Sequence, residues 1–131
     1  MTRRGPILWT LFALTAIGLL VPATFAQALP KYDPATEVKL KGTVEELKFQ
    51  PATGGKQDAY LVLKNGEEKI QVFVCPKSFL DEMGVTFSQG DDVEVTGSKV
   101  KQDSADLILA RQVVKGGDTT TLRFPDGKPA W

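Results

Sequence analysis

From Glu37 onward the sequence predicts an all-β domain. Three observations carry the prediction. Apolar and polar residues alternate at period two in five short runs. Clusters of Gly, Pro, Asn and Asp separate those runs. Only one stretch, Pro76 to Met83, spaces its apolar residues as a helix does.

The first predicted strand covers Glu37 to Phe49. Val38, Leu40 and Val44 share one parity, with Gly42 at the remaining position of that face, whereas Leu47 and Phe49 fall on the other parity. A strand changes parity only where a residue is inserted, which predicts a β-bulge near Glu45-Glu46. A long, bent first strand with a glycine in it suits a small closed barrel, because such a strand pairs at both its ends.

After a loop at Gln50 to Lys56, the runs Gln57 to Lys64 and Glu68 to Cys75 predict a hairpin. Its turn is Asn65-Gly66, the pair suited to a type I′ turn. This register sets Lys64 opposite Glu67 and Leu61 opposite Ile70. Ala59, Leu61, Leu63, Ile70, Val72 and Val74 then face the core, and Tyr60, Val62, Lys69, Gln71, Phe73 and Cys75 face away. Pro76 to Met83 follows as a short helix with an apolar stripe of Phe79, Leu80 and Met83, closed by Gly84. The strand Val93 to Ser98, a turn at Gln102 to Ala105, and the strand Asp106 to Val114 complete the series. Gly116-Gly117-Asp118 ends the last strand, and a small hairpin around Pro125-Asp126-Gly127 is expected beyond it.

Three strands, one short helix, then two strands is the connectivity of an OB-fold, a five-stranded, partly open Greek-key barrel with its helix between strands 3 and 4. The barrel is expected over 37–115, with residues 116–131 as an extension whose Leu122, Phe124 and Trp131 can cover one barrel end. Val38, Leu40, Val44, Leu61, Leu63, Ile70, Val72, Val93, Val95, Leu107 and Leu109 are the expected core.

The segments Tyr32-Asp33-Pro34-Ala35-Thr36-Glu37-Val38, Phe87-x-x-Gly90-Asp91-x-Val93-x-Val95-Thr96-Gly97-Ser98 and Leu107-Ile108-Leu109-Ala110-Arg111 together resemble small exported bacterial OB-like domains of unassigned function. The close Gly127-x-Pro129-x-Trp131 fits the same group. The resemblance implies a fold and a compartment, and no chemistry, since OB barrels host many functions.

The N-terminus carries the layout of a secretory signal. Arg3 and Arg4 precede an uncharged run from Ile7 to Val21, Pro22 breaks it, and small residues allow cleavage after Ala26 or Ala28. The run is about 15 residues, short of the roughly 20 that a spanning helix needs, so no stable membrane anchor is expected after cleavage. A periplasmic or secreted protein is the expectation, with residues 1–26 as the signal peptide. The remaining chain has 14 basic and 16 acidic residues, unlike the basic balance of polyanion binders, so nucleic acid is the less favoured partner.

Histidine is absent, which removes the commonest general base and metal ligand. The acidic pairs Glu45-Glu46, Glu67-Glu68, Asp81-Glu82 and Asp91-Asp92 are sequence neighbours, and adjacent strand residues point to opposite faces. Gly54-Gly55-Lys56 lacks the spacing of a phosphate-binding loop. No catalytic residue, metal site or cofactor is expected, and no enzyme. Cys75, the single cysteine, suits a buried apolar position at a strand end better than a reactive thiol.

The informative surface is the outer face of the hairpin: Tyr60, Val62, Lys69, Gln71 and Phe73 are the candidate ligand-binding residues. OB-folds bind ligands across this face, so a peptide, a protein partner or a small envelope ligand is expected there, with an oligonucleotide or oligosaccharide as the alternative. The same aromatics can instead be covered by the N-terminal lead or the C-terminal tail. Export gives a direct check: intact mass of the secreted protein should place the new N-terminus at Gln27 or Leu29, and retention of Met1 would overturn the signal-peptide expectation.

Overall fold

A computed structural model describes residues 29–131. The expected signal peptide and its cleavage point lie outside the described residues.

Strand β1 (Glu37–Pro51) organises the domain because it serves two neighbours in succession. Its first half pairs antiparallel with β4 (Asp92–Gln102), from Glu37↔Ser98 to Thr43↔Asp92. Its second half pairs antiparallel with β2 (Gln57–Asn65), from Thr43↔Lys64 to Pro51↔Gln57. The change of partner falls at Gly42 and Glu45. A Cβ on Gly42 would stand 3.2 Å from both the Leu63 Cβ and the Lys64 carbonyl oxygen, so a bare Cα lets β2 close on the bend. Glu45 is the extra residue between Val44↔Leu63 and Glu46↔Val62, which is the bulge the parity change demanded.

Strands β2 and β3 (Glu68–Pro76) form the hairpin, one step further out than expected. Asn65 pairs with Glu68 and Lys64 with Lys69, leaving Gly66-Glu67 as the turn. The cause is the Asn65 side chain, whose Nδ2 donates to the Lys41 carbonyl at 3.0 Å and holds Asn65 in the sheet. Gly66, at φ +64, takes the first turn position, and Glu67 does not share its positive φ, as in a type II′ turn. The offset displaces each pairing by two residues, so both faces keep their predicted members. At the far end a second bulge intervenes: Tyr60 pairs with Phe73 and Ala59 with Cys75, so Val74 is extra. That insertion turns Cys75 inward, and the thiol is fully buried.

Helix α1 (Lys77–Met83) follows, with Leu80 buried and Phe79 and Met83 packed on the core. Gly84 stops it at φ +68, its N–H donating to the Leu80 and Asp81 carbonyls. β4 then leads through Asp103 and Ser104, both at positive φ, into β5 (Ala105–Lys115). β5 runs antiparallel to β4 and closes the sheet by parallel pairing with β3 at Val72↔Ile108 and Phe73↔Leu109. The closed order β1-β2-β3-β5-β4, with α1 between β3 and β4, is the OB-fold. A sixth strand, β6 (Asp118–Thr121), folds back on β5 and extends the sheet, a pairing not expected of a tail whose sequence predicts only a hairpin around Pro125-Asp126-Gly127. The remaining tail folds back around Pro125-Asp126-Gly127, with an Arg123↔Pro129 bridge and Leu122 fully buried.

Apolar burial divides in two. Inside the barrel lie Val44, Leu61, Leu63, Val72, Val74, Val93, Val95, Ile108, Ala110 and Val113, among others. Outside it, a second cluster joins Tyr60, Phe73, Leu107 and Leu109. Leu107 and Leu109 therefore leave the expected core and Ile108 and Ala110 take their place. Four successive apolar residues carry no parity, because both faces of β5 are buried there.

Gly97 tests the closure. The β4–β5 register shifts between Thr96↔Gln112 and Gly97↔Ala110, and a Cβ on Gly97 would collide with the Leu109 carbonyl and stand 2.9 Å from the Ala110 Cα. Urea denaturation should show Gly97→Ala destabilised by about 2 kcal/mol or more, and Leu61→Ala by about 2–5 kcal/mol from the cavity it leaves. Wild-type midpoints for both variants would refute this packing.

Candidate functional site

The hairpin's outer face is occupied by the chain itself. Tyr60 and Phe73 stand directly opposite each other, ring centroids 5.4 Å apart and edge to face, and are 6% and 1% exposed. Leu29, Tyr32 and Val100 pack on their cluster, and Trp131 lies 6.1 Å from Phe73 and 5.8 Å from Phe79. Both the lead and the tail thus contribute to the cover. Of the other candidates, Val62 and Gln71 are half-buried, and Lys69 is exposed with Glu45 at 3.4 Å. An open aromatic platform across the five residues, the surface on which the sequence-based expectation rested, is absent: its two rings are packed inside the domain.

Polar contacts hold the cover down. The Tyr32 hydroxyl donates to Glu37 Oε1 at 2.6 Å, and Arg111 donates to the same carboxylate from Nε at 2.8 Å and Nη2 at 3.1 Å. Ser98 Oγ accepts from the Asp33 N–H at 3.0 Å and bonds Thr36 Oγ1 at 2.8 Å. The Arg123 guanidinium sits between the Tyr32 and Trp131 rings, 5.4 and 5.0 Å from their centroids, and donates to the Gly127 carbonyl at 2.9 Å. Two aromatic faces supply the attraction that a carboxylate would otherwise give this buried cation. Burial, then the bond to Glu37 and its charge, push the Tyr32 phenol up to about 12. The bonds from Arg111 and then Tyr32 hold Glu37 below the usual carboxylate range.

The barrel interior opens at a mouth away from α1. Val38, Leu40, Ile70 and Ile108 floor a cavity of about 250 Å³ there, and Asn65, Glu68, Lys69, Lys99 and Asp106 rim it. The chemistry changes along each strand: Ile70 and Glu68 are two residues apart on β3, as are Ile108 and Asp106 on β5, so each pair shares a face. Asp106 receives Lys99 at 3.7 Å and Lys101 at 2.9 Å. Among the five sequence-derived candidates, Lys69 alone lines this cavity. The remaining lining was assigned to the core, as with Val38, Leu40 and Ile70, to the hairpin turn, as with Asn65, or given no site role. A charged residue two positions from the last inward aliphatic, seen in both β3 and β5, is the sequence signal that marks it. A broader, open groove of about 620 Å³ passes Lys41, Lys64, Asp92 and Glu94 and has the character of a solvated surface.

Cys75 lies at neither surface and is fully buried. Burial, reinforced by the charge of Asp58, pushes its thiol up to about 12. Among the described residues no three His, Cys, Asp or Glu side chains gather as a metal site.

Strand order and helix position define a small OB-fold domain. The chain belongs to the MamS/MamX magnetosome protein family, whose model matches residues 36–120. That span contains all five barrel strands and the whole lining of the mouth, and it excludes Tyr32, Arg123 and Trp131 of the cover. No curated protein sequence matches the chain. Among solved structures it is similar to the N-terminal domain of PriB protein from Thermoanaerobacter tencongensis, described as dimeric, with 17% identity over 64% of this chain and 99% of that one and a TM-score of 0.49.

The chain's two tyrosines provide a test of the cover. Both phenols are shifted upward, Tyr60 by burial and then the charge of Asp58, which favours the neutral form in the folded state. This stabilisation is complete below the ordinary tyrosine range near 10 and is lost as pH rises through the folded value. Absorbance at 295 nm should show less tyrosinate at pH 10 than two free tyrosines would give, with Tyr32 ionising only as pH approaches 12. An ordinary titration of both phenols near 10 in the folded protein would contradict the packing.

Proposed function

We propose that the protein is an exported, non-catalytic binding module, acting in the cell envelope as an accessory of the assemblies for which its family is named, and that its binding site is the open mouth of the barrel. The observation that carries this reading is the cavity itself. An aliphatic floor of Val38, Leu40, Ile70 and Ile108, ringed by charges of both signs, combines apolar affinity with polar orientation, as ligand sites do. The hairpin face supports the reading from the other side, because its aromatics are already engaged by Tyr32 and Trp131. The nucleic-acid alternative loses its stacking rings by the same fact, and the near balance of charge gives it little electrostatic support.

An apolar anionic dye, 1-anilinonaphthalene-8-sulfonate, tests the site without knowledge of the natural ligand. Its fluorescence should rise saturably with the folded protein. Ile70→Trp, which fills the cavity, should weaken binding about tenfold or more, with Leu40→Phe as a milder filling variant. Circular dichroism melts select whichever variant remains folded. Dye binding untouched by a folded filling variant would overturn the assignment of the mouth.

A further inference from the structure

β3 and β5 touch at only two pairs, Val72↔Ile108 and Phe73↔Leu109. Upstream of them the strands separate, although β3 remains paired with β2 and β5 with β4 along their other sides. Residues 68–71 and 105–107 thus present backbone edges with no strand neighbour among the described residues. These edges flank the mouth: Glu68, Lys69 and Ile70 on one side and Asp106 and Ile108 on the other line the cavity. Resting on the reading of the mouth as the binding site, we propose that its occupant is an extended peptide segment that adds as a strand along the 68–71 edge and seats one large aliphatic side chain in the cavity.

Three features of the cleft specify that peptide. Unpaired strand edges recognise extended backbone through alternate N–H and C=O groups, whatever the side chains. A volume of about 250 Å³ admits one large side chain and not a run of them. Charge decides what flanks it. The lysines at the cavity already have partners, Lys69 in Glu45 and Lys99 in Asp106, whereas Glu68 enters none of the ion pairs formed by the described residues. Glu68 lies two residues from Ile70 on the same face of β3, so the complementary peptide carries a lysine or arginine two residues from its aliphatic anchor.

The probe is the capped peptide acetyl-Thr-Lys-Thr-Leu-Thr-Lys-Thr-amide, which offers that spacing in either strand direction, titrated into the isotopically labelled protein. Binding should move the amide signals of 68–71 and 105–107 and slow their hydrogen exchange. Replacing the central leucine by aspartate should weaken it about tenfold or more. Glu68→Lys should reverse the preference toward the peptide with glutamates in place of its lysines. Glu68 is exposed, so this variant is expected to fold, and its melt verifies that. Absence of binding, binding mapped to the Lys41–Asp92 groove, or indifference to the leucine would overturn the proposal. Where the dye binds and is expelled by Ile70→Trp but the peptide leaves these amides unmoved, the mouth stands as a site and the strand inference falls. Where neither binds, both fall.

Discussion

Closure of the sheet through two parallel residue pairs is the constraint on which the rest of this structure depends. A five-stranded sheet returns to itself only if its strands coil strongly, and each place where this one coils has a residue that permits it. Gly42 and the inserted Glu45 turn β1 from β4 toward β2. The inserted Val74 re-aims the end of β3 into the core. Gly97, opposite the extra Arg111, lets β4 lie against the β5 backbone more closely than any side chain would allow. These adjustments accompany the coiling that brings Val72 and Phe73 beside Ile108 and Leu109.

A seam that short has two consequences. Its outer side exposes Tyr60, Phe73, Leu107 and Leu109, a patch that one hairpin cannot hide, so the chain recruits its own ends to cover it. The cover is heterogeneous in chemistry: Tyr32 and Trp131 supply apolar area, Arg123 ties them by cation–π contact, and the Tyr32–Glu37–Arg111 bonds fasten the lead to β5. The seam's other consequence lies at its open end, where β3 and β5 part before their inward aliphatics give way to charges. One short junction therefore accounts for both the buried hairpin face and the accessible mouth.

The legibility of these features in the sequence follows the same division. The β1 bulge was readable because Val38, Leu40 and Val44 disagree in parity with Leu47 and Phe49, and a parity conflict has one remedy. The hairpin faces were readable despite the misplaced turn, because a two-residue offset leaves the side chains on their own sides as far as the Val74 bulge, beyond which Cys75 turns inward. β5 was not readable: Leu107-Ile108-Leu109-Ala110 is apolar at each step, and only the seam decides which pair points inward. The bulge at Val74 leaves no compositional mark, and Asp118–Thr121 lacks the alternation that would announce a strand. The mouth was hidden for a different reason. Its lining comes from all five barrel strands, and no local pattern shows that Val38 and Ile108 share a cavity.

Tyr60 and Phe73 show how far an outward aromatic pair can be read from sequence. Two aromatics on an outward strand face imply a contact, and the contact is real. What the residues cannot specify is whether its other half is a ligand or the same chain, since a tyrosine at position 32 and a tryptophan at position 131 satisfy the rings as well as any base or sugar would. Charge separates the two cases at the mouth. Glu68 and Asp106 lie on the inward face of their strands, where a domain that only needed a sealed core would place aliphatic residues. Ending the inward rows in charge keeps water at the mouth and leaves the hydrocarbon below it unsealed. The binding role proposed for the mouth depends on this, because a carboxylate at the rim would orient an entering group in a way that a leucine could not.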